Sequence, residues 1–169
     1  IKYRSFSLCG FVMAAHRGIE ISPLASIKGG MAQFYTPQSS HETMLVQIPP
    51  NTIDDLFVHK SQTDQILVVK GRLVLVTLEN RQYRYTPLCD RLPQIVKIPP
   101  GVLHGAINLD SEPCVIVNAV LRHRPTQPRD YIPRPRPFPY DLAIAGAKLV
   151  EMEAAIIQQA VVSGRGGFV

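Results

Sequence analysis

From Met44 onward the chain alternates short apolar runs with polar positions and breaks them at turn residues. The pattern predicts strands at 44–48, 65–69, 72–78, 82–85, 94–98, 105–109 and 114–121. These runs are rich in Val, Ile, Leu and Tyr, which suit a pleated, half-buried surface. Glu79-Asn80-Arg81 reads as a hairpin turn and Asp110-Ser111-Glu112-Pro113 as another. Strands returning roughly every ten residues between such turns indicate an all-β sandwich or barrel.

The period changes after residue 123. Pro125, Pro128, Pro133, Pro135, Pro137 and Pro139 rule out a helix or a central strand over 124–140, which is expected to run as an extended strap. Asp141 then stands ready to cap a closing helix. Within it Leu142, Ala145, Leu149, Met152 and Ile156 fall on one face, a docking stripe for the same domain, and Gly164, Gly166 and Gly167 end it. Residues 1–43 are weakly periodic, with breaks at Gly29-Gly30 and Pro37, and are expected to add strands packing on the barrel or on a partner copy. Residues 44–123 form the barrel core, and 124–169 the strap and helix of the same domain.

At 169 residues a single domain is expected, one that buries about 70% of its unfolded surface without disulfides or metal staples. Cys9, Cys89 and Cys114 are odd in number and contain no C-x-x-C pair, which argues against a disulfide framework or zinc knuckle and makes a reducing, cytoplasmic setting the expectation. Ser5 to Ala15, after Lys2 and Arg4, imitates a secretory signal, but no small-x-small site follows, so it is read as a peripheral segment. No stretch approaches the roughly 18 apolar residues of a membrane span. The net charge of +5 is concentrated between Arg122 and Arg136, which suits a local anionic ligand. With 7% aromatic residues and no stacking platform, nucleic acid is not an expected partner.

Two polar clusters interrupt the apolar runs. His59-Lys60-Ser61-Gln62-Thr63-Asp64-Gln65 precedes Gly71, and Pro99-Pro100-Gly101-Val102-Leu103-His104 leads to Asn108. Residues two apart on a strand point the same way, so His59 and Ser61 share a side, and Gln65 returns to it if that side is the barrel interior. His104 and Asn108 join from a neighbouring strand. His16 and His41 lie in unpatterned surroundings and receive no role. His123, between Arg122 and Arg124, reads as a solvated basic edge that touches a phosphate if the strap folds over the pocket mouth.

These residues resemble the cupin superfamily. Its second motif, P-x-G-x(2)-H-x(3)-N, is matched by Pro99, Gly101, His104 and Asn108. Its first, H-x-H-x(3-4)-E-x(6)-G, is matched by His59 and closely by Gly71, with Ser61 in place of the second histidine and Gln65 in place of the glutamate. The fold implied is a cupin jelly-roll β-barrel with a C-terminal α-helix. Two imidazoles, an amide and a hydroxyl offer less than a tightly held divalent metal wants, so no cofactor and no metal is expected; His59, Gln65 and His104 would be the ligands if an ion were held.

Within the superfamily, H-K-S-Q-T-D-Q and I-P-P-G-V-L-H-G resemble the dTDP-4-dehydrorhamnose 3,5-epimerase-like branch and its dTDP-sugar isomerases. The resemblance implies a homodimer acting on a nucleotide-linked 4-keto-6-deoxy sugar. That chemistry needs a base of near-neutral pKa beside a carbon α to a ketone, and histidine suits it. His59 is the expected base and His104 the acid or orienting group. Ser61, Gln65, Arg72, Asn108, Asn118 and Arg122 are the expected substrate contacts, with Arg72 and Arg122 supplying positive charge. Tyr83 and Tyr85 are candidate acids, though a place on the sheet surface suits them better. Asp64 or Gln65 stands near the position of the epimerase lysine and Arg122-His123 near that of its tyrosine, so the residues support single-base isomerisation or C3 epimerisation. A non-catalytic sugar or small-metabolite binding cupin, and a weakly metal-binding cupin enzyme, are the alternatives.

Overall fold

The computed structural model describes residues 18–27, 32–34, 39–125, 127 and 130–164. Strands come first, in the order β1 (Glu20–Pro23), β2 (Ala25–Ile27), β3 (Ala32–Phe34), β4 (Glu42–Ile48), β5 (Thr52–Ile53), β6 (Leu56–His59), β7 (Gln62–Lys70), β8 (Arg72–Glu79), β9 (Gln82–Cys89), β10 (Gln94–Ile98), β11 (Leu103–Asn108), β12 (Cys114–Arg122) and β13 (Tyr131–Arg134). One helix among the described residues, α1 (Leu142–Gly164), follows. The fold is the all-β jelly roll expected from the sequence. One sheet runs β1-β10-β7-β12-β4, the other β13-β6-β11-β8-β9 with β5 on β11, and β2-β3 form a separate ribbon.

Side-chain alternation on β8 shows how the layers are made. Leu73 and Leu75 point between the sheets, joining Ile66, Val68, Val96, Ile98 and Ile116 in one buried cluster. Val74 and Val76 point the other way, beneath α1, with Leu56, Ile107, Leu149 and Met152 in a second. A strand covered on both faces reads as an unbroken apolar run, which is what Leu73-Val74-Leu75-Val76 is.

Turn chemistry sets the register. Asn80 and Arg81 both take positive φ, 49° and 61°, closing the β8–β9 hairpin with a two-residue turn whose twist matches the strands. Asp141 caps α1 by accepting a bond from the Ile144 amide at 3.0 Å. Helix and barrel are also clamped by charge: the Arg72 guanidinium donates to Asp110 and reaches Glu153 of α1, which also pairs with Arg91.

The strap differs from a plain connector in one respect. Tyr131–Arg134 pairs with β6 as an outer strand, which Pro133 permits because an edge strand can spare one donor. Behind it, β11 passes so close that a Cβ on Gly105 would lie 2.9 Å from both the Asp55 carbonyl and the Tyr140 hydroxyl. Only glycine fits there. Cys89 and Cys114 are buried free thiols, and burial pushes Cys114 up to about 12, so neither is poised as a nucleophile. Cys9 and His16 lie outside the described residues, as do Gly166 and Gly167.

Candidate functional site

At one end of the barrel the inward positions turn polar. Alternation on β7 sends Gln62 and Asp64 to the same side as Ile66 and Val68, and β11 presents His104 opposite Thr77 of β8. On β6, Leu56 and Val58 take the alternate positions and Phe57 and His59 face the cluster. Asp64, 3% exposed, sits at its centre.

Its two oxygens divide the work. Oδ1 accepts the side-chain amides of Gln62 at 2.8 Å and Asn118 at 3.0 Å. Oδ2 faces both imidazoles, at 3.2 Å from His59 Nε2 and 3.7 Å from His104 Nε2. Burial drives the Asp64 carboxyl up, but the bonds from His59 and Asn118 and the field of the two imidazoles outweigh it, and its pKa is lowered. The group is an anion at neutral pH.

Ring tautomers follow from what each nitrogen meets. His104 Nδ1 lies 2.9 Å from the Val102 carbonyl, which can only accept, so Nδ1 carries the proton and Nε2 turns its lone pair toward Asp64. His59 donates from Nε2 to Asp64, which leaves its lone pair on Nδ1, a buried atom without a hydrogen-bond partner. Phe57 stands edge-on to both, with ring centroids 5.4 Å from His59 and 4.2 Å from His104, and Tyr131 of the strap lies 5.7 Å from His59. These rings hold the imidazoles in an apolar frame.

Burial lowers the His104 pKa below its ordinary 6.5, against the raising effects of the Val102 carbonyl and Asp64. Above 6.5 the imidazole is neutral in folded and unfolded chains alike. As pH falls below that value the unfolded chain takes up a proton that the folded chain resists, so stability is lost. The thermal midpoint is therefore expected to decline from pH 6.5 to pH 5, and His104→Asn to flatten that slope; equal slopes in a melting series of both proteins would refute it.

The remaining sequence-derived positions are distributed as follows. Asn118 reaches the cluster. Arg122, at the mouth, donates to the Gln62 side-chain oxygen at 3.2 Å and pairs with Glu42, so a relay runs Arg122 to Gln62 to Asp64. Ser61 lies at the β6–β7 corner and its hydroxyl bonds Asp130 of the strap. Gln65 is buried on the opposite side of β7 from Asp64, where its amide nitrogen donates to the Ala119 carbonyl and its backbone to the Asn118 oxygen. Asn108 donates to the carbonyls of Ile48, Pro49 and Glu112, tying two loops together. Arg72 is engaged at the helix side with Asp110 and Glu153. Tyr83 and Tyr85 bond the strap, through the Phe138 carbonyl and the Asp141 amide. His41 accepts from the Arg122 amide, and His123 pairs with the Thr63 hydroxyl at 2.8 Å.

Sequence reasoning missed Asp64 as the central carboxylate, and with it Phe57 and Tyr131. Phe57 carried a signal, since it stands two residues before His59 on one strand. Tyr131 carried none, because its place opposite His59 comes from strap pairing.

No protein-family model and no curated protein matches this sequence. Solved structures do match in fold. A dTDP sugar isomerase from Desulfovibrio desulfuricans G20 superposes with a TM-score of 0.62 at 18% identity, covering 77% of this chain and 96% of that one. A dTDP-4-dehydrorhamnose 3,5-epimerase from Sulfolobus tokodaii gives 0.56 at 18%, covering 69% and 77%. A sugar 3,4-ketoisomerase from Thermoanaerobacterium thermosaccharolyticum in complex with TDP gives 0.57 at 14%, covering 69% and 88%. The barrel thus shares its fold with these sugar isomerases and this epimerase. At these identities the likeness establishes architecture, and the chemistry has to be argued from the side chains.

Proposed function

We propose that this chain is an isomerase or epimerase of a nucleotide-linked 4-keto-6-deoxy sugar, with His59 as the proton-transferring base. The observation that carries the reading is the Asp64–His59 pair: the carboxylate occupies one ring nitrogen and leaves the other as a lone pair inside the barrel. Removing a proton α to the ketone makes His59 an imidazolium, and an adjacent anion stabilises that charge as it forms. His104 is held by the Val102 carbonyl beside the same carboxylate.

Nδ1 of His59 is enclosed, so a substrate carbon reaches it only if a neighbouring ring gives way. Tyr131, on the edge strand and 56% exposed, is the ring with room to move. Ser61, Arg122 and His123 at the mouth supply polar and cationic groups for a diphosphate. Dimeric assembly and a cytoplasmic setting complete this reading; no helix among the described residues is long and apolar enough to cross a membrane.

The test is solvent exchange. Protein incubated in D2O with a dTDP-4-keto-6-deoxy sugar is expected to place deuterium at the carbon beside the ketone, read by NMR. Tight dTDP-sugar binding without exchange would leave a non-catalytic binding module. Absence of dTDP binding would remove the nucleotide sugar altogether.

A second reading draws on one contact. The His104 Nε2 lone pair and Asp64 Oδ2, both acceptors, face each other at 3.7 Å, and a cation between them would relieve the repulsion. Donor atoms of His59, Asp64 and His104 all lie within 4.8 Å of one another, and two imidazoles with one carboxylate suit a divalent ion. Such an ion would polarise the ketone oxygen of a bound sugar. Stoichiometric metal after purification, lost in Asp64→Asn, would favour this reading.

A further inference from the structure

The helix α1 carries a second apolar stripe, on the side turned away from the barrel. Ala143, Ala147, Val150, Ala154, Ile157 and Val161 recur at spacings of four and three, and all are exposed. Val150 is 69% exposed, Ile157 59% and Val161 49%. This is a heptad seam of period 3.5, and Ala145, Leu149 and Met152, which dock on the barrel, lie on the opposite face.

From this seam we propose that α1 pairs antiparallel with α1 of a second copy of the chain, about a two-fold axis at Met152. The order of side chains selects that partner. With the helices antiparallel about that axis, Ala143 meets Val161, Ala147 meets Ile157, and Val150 meets Ala154, each time a small residue against a larger branched one. An isologous contact has to be complementary to itself, and this seam is so at every step. A parallel pair would instead set Ile157 on Ile157 at one end and alanine on alanine at the other, holding the helices unevenly apart.

Charge agrees with the arrangement. No charged residue interrupts the seam, and Glu151 beside the axis is already paired with Lys148 at 2.7 Å, so the two-fold does not oppose bare carboxylates. The first turn of α1 has no acidic residue and its last turn no basic one. An antiparallel neighbour brings the opposite end of its own helix dipole to each.

The seam is about 27 Å long and about 10 Å wide, roughly 270 Å2 of projected face per copy. That is well below the roughly 800 Å2 per partner of a standard stable interface. The pair alone therefore makes a concentration-dependent dimer, and it uses a surface distinct from the sheet edges through which a barrel dimer would form. It does not depend on the functional reading above.

Sedimentation velocity of the full chain over about 1 to 300 µM tests it. The sedimenting mass is expected to double with concentration, and Ile157→Glu to weaken association at least tenfold. Circular dichroism and the melting temperature control for folding, and Val150→Glu repeats the test. Ala147→Ile alone sets isoleucine on isoleucine and weakens the pair, whereas the double variant Ala147→Ile/Ile157→Ala restores the small-on-large match and with it the mass. An unchanged mass in both glutamate variants overturns the proposal, and failure of the double variant to recover overturns the antiparallel register. Flotation with phosphatidylcholine vesicles, lost in Ile157→Glu and without self-association, would give this face to a membrane instead.

Discussion

Asp64→Asn is expected to lower solvent exchange roughly 10^2- to 10^4-fold while leaving dTDP binding within a few-fold, because the amide keeps the shape of the carboxylate but not its charge. Two effects combine. The imidazolium on His59 loses the anion 3.2 Å away. The new amide also donates as readily as it accepts, so it can face His59 Nε2 with an N–H and drive the ring proton to Nδ1, which removes the base. Asp64 acts through His59 as a positioning residue, and the kinetic split reports this: kcat is expected to fall in Asp64→Asn while KM stays within a few-fold. His59→Ala removes exchange entirely. Exchange surviving at the wild-type rate in either variant would end the proposed mechanism.

Leu149→Ala is expected to cost about 3 kcal/mol, lowering the melting midpoint by roughly 6–12 °C for a chain of this size. Leu149 is 4% exposed and lies with Val74, Val76, Ile107 and Met152 under the helix. The β8–β11 face beneath cannot close the gap, because its strands are held on the other side by the inter-sheet core. Exchange activity measured well below the midpoint is expected to persist, since the helix docks on the face opposite the imidazoles. A shift of less than 2 °C would mean that α1 contributes little to the barrel.

The strand runs were legible where alternation or turn residues marked them. Gln94–Ile98 is found as expected, and Arg72–Glu79 within one residue. β9 extends past the expected 82–85 to Gln82–Cys89, with Pro87 inside it, because it is an edge strand, where proline is tolerated. β5 and β6 went unread, since β5 is too short to show a period and Leu56–His59 is apolar on both faces until its last residue. The missing parity of β7 has the same cause. Ile66-Leu67-Val68-Val69 is apolar at every position, so nothing in it shows that Asp64 rather than Gln65 points inward.

What the sequence determined by itself is local: which segments prefer extended backbone, where the hairpin turns, where α1 begins, and that two histidines stand in polar breaks between apolar runs. These follow from steric preference, capping and side-chain period, which act over a few residues. Tertiary structure alone decided which polar side chains meet. Asp64, His59, His104, Gln62 and Asn118 come from β6, β7, β11 and β12, and they converge because interstrand register and sheet stacking set those strands side by side. Register is a long-range property, and a shift by one residue would have exchanged Asp64 for Gln65.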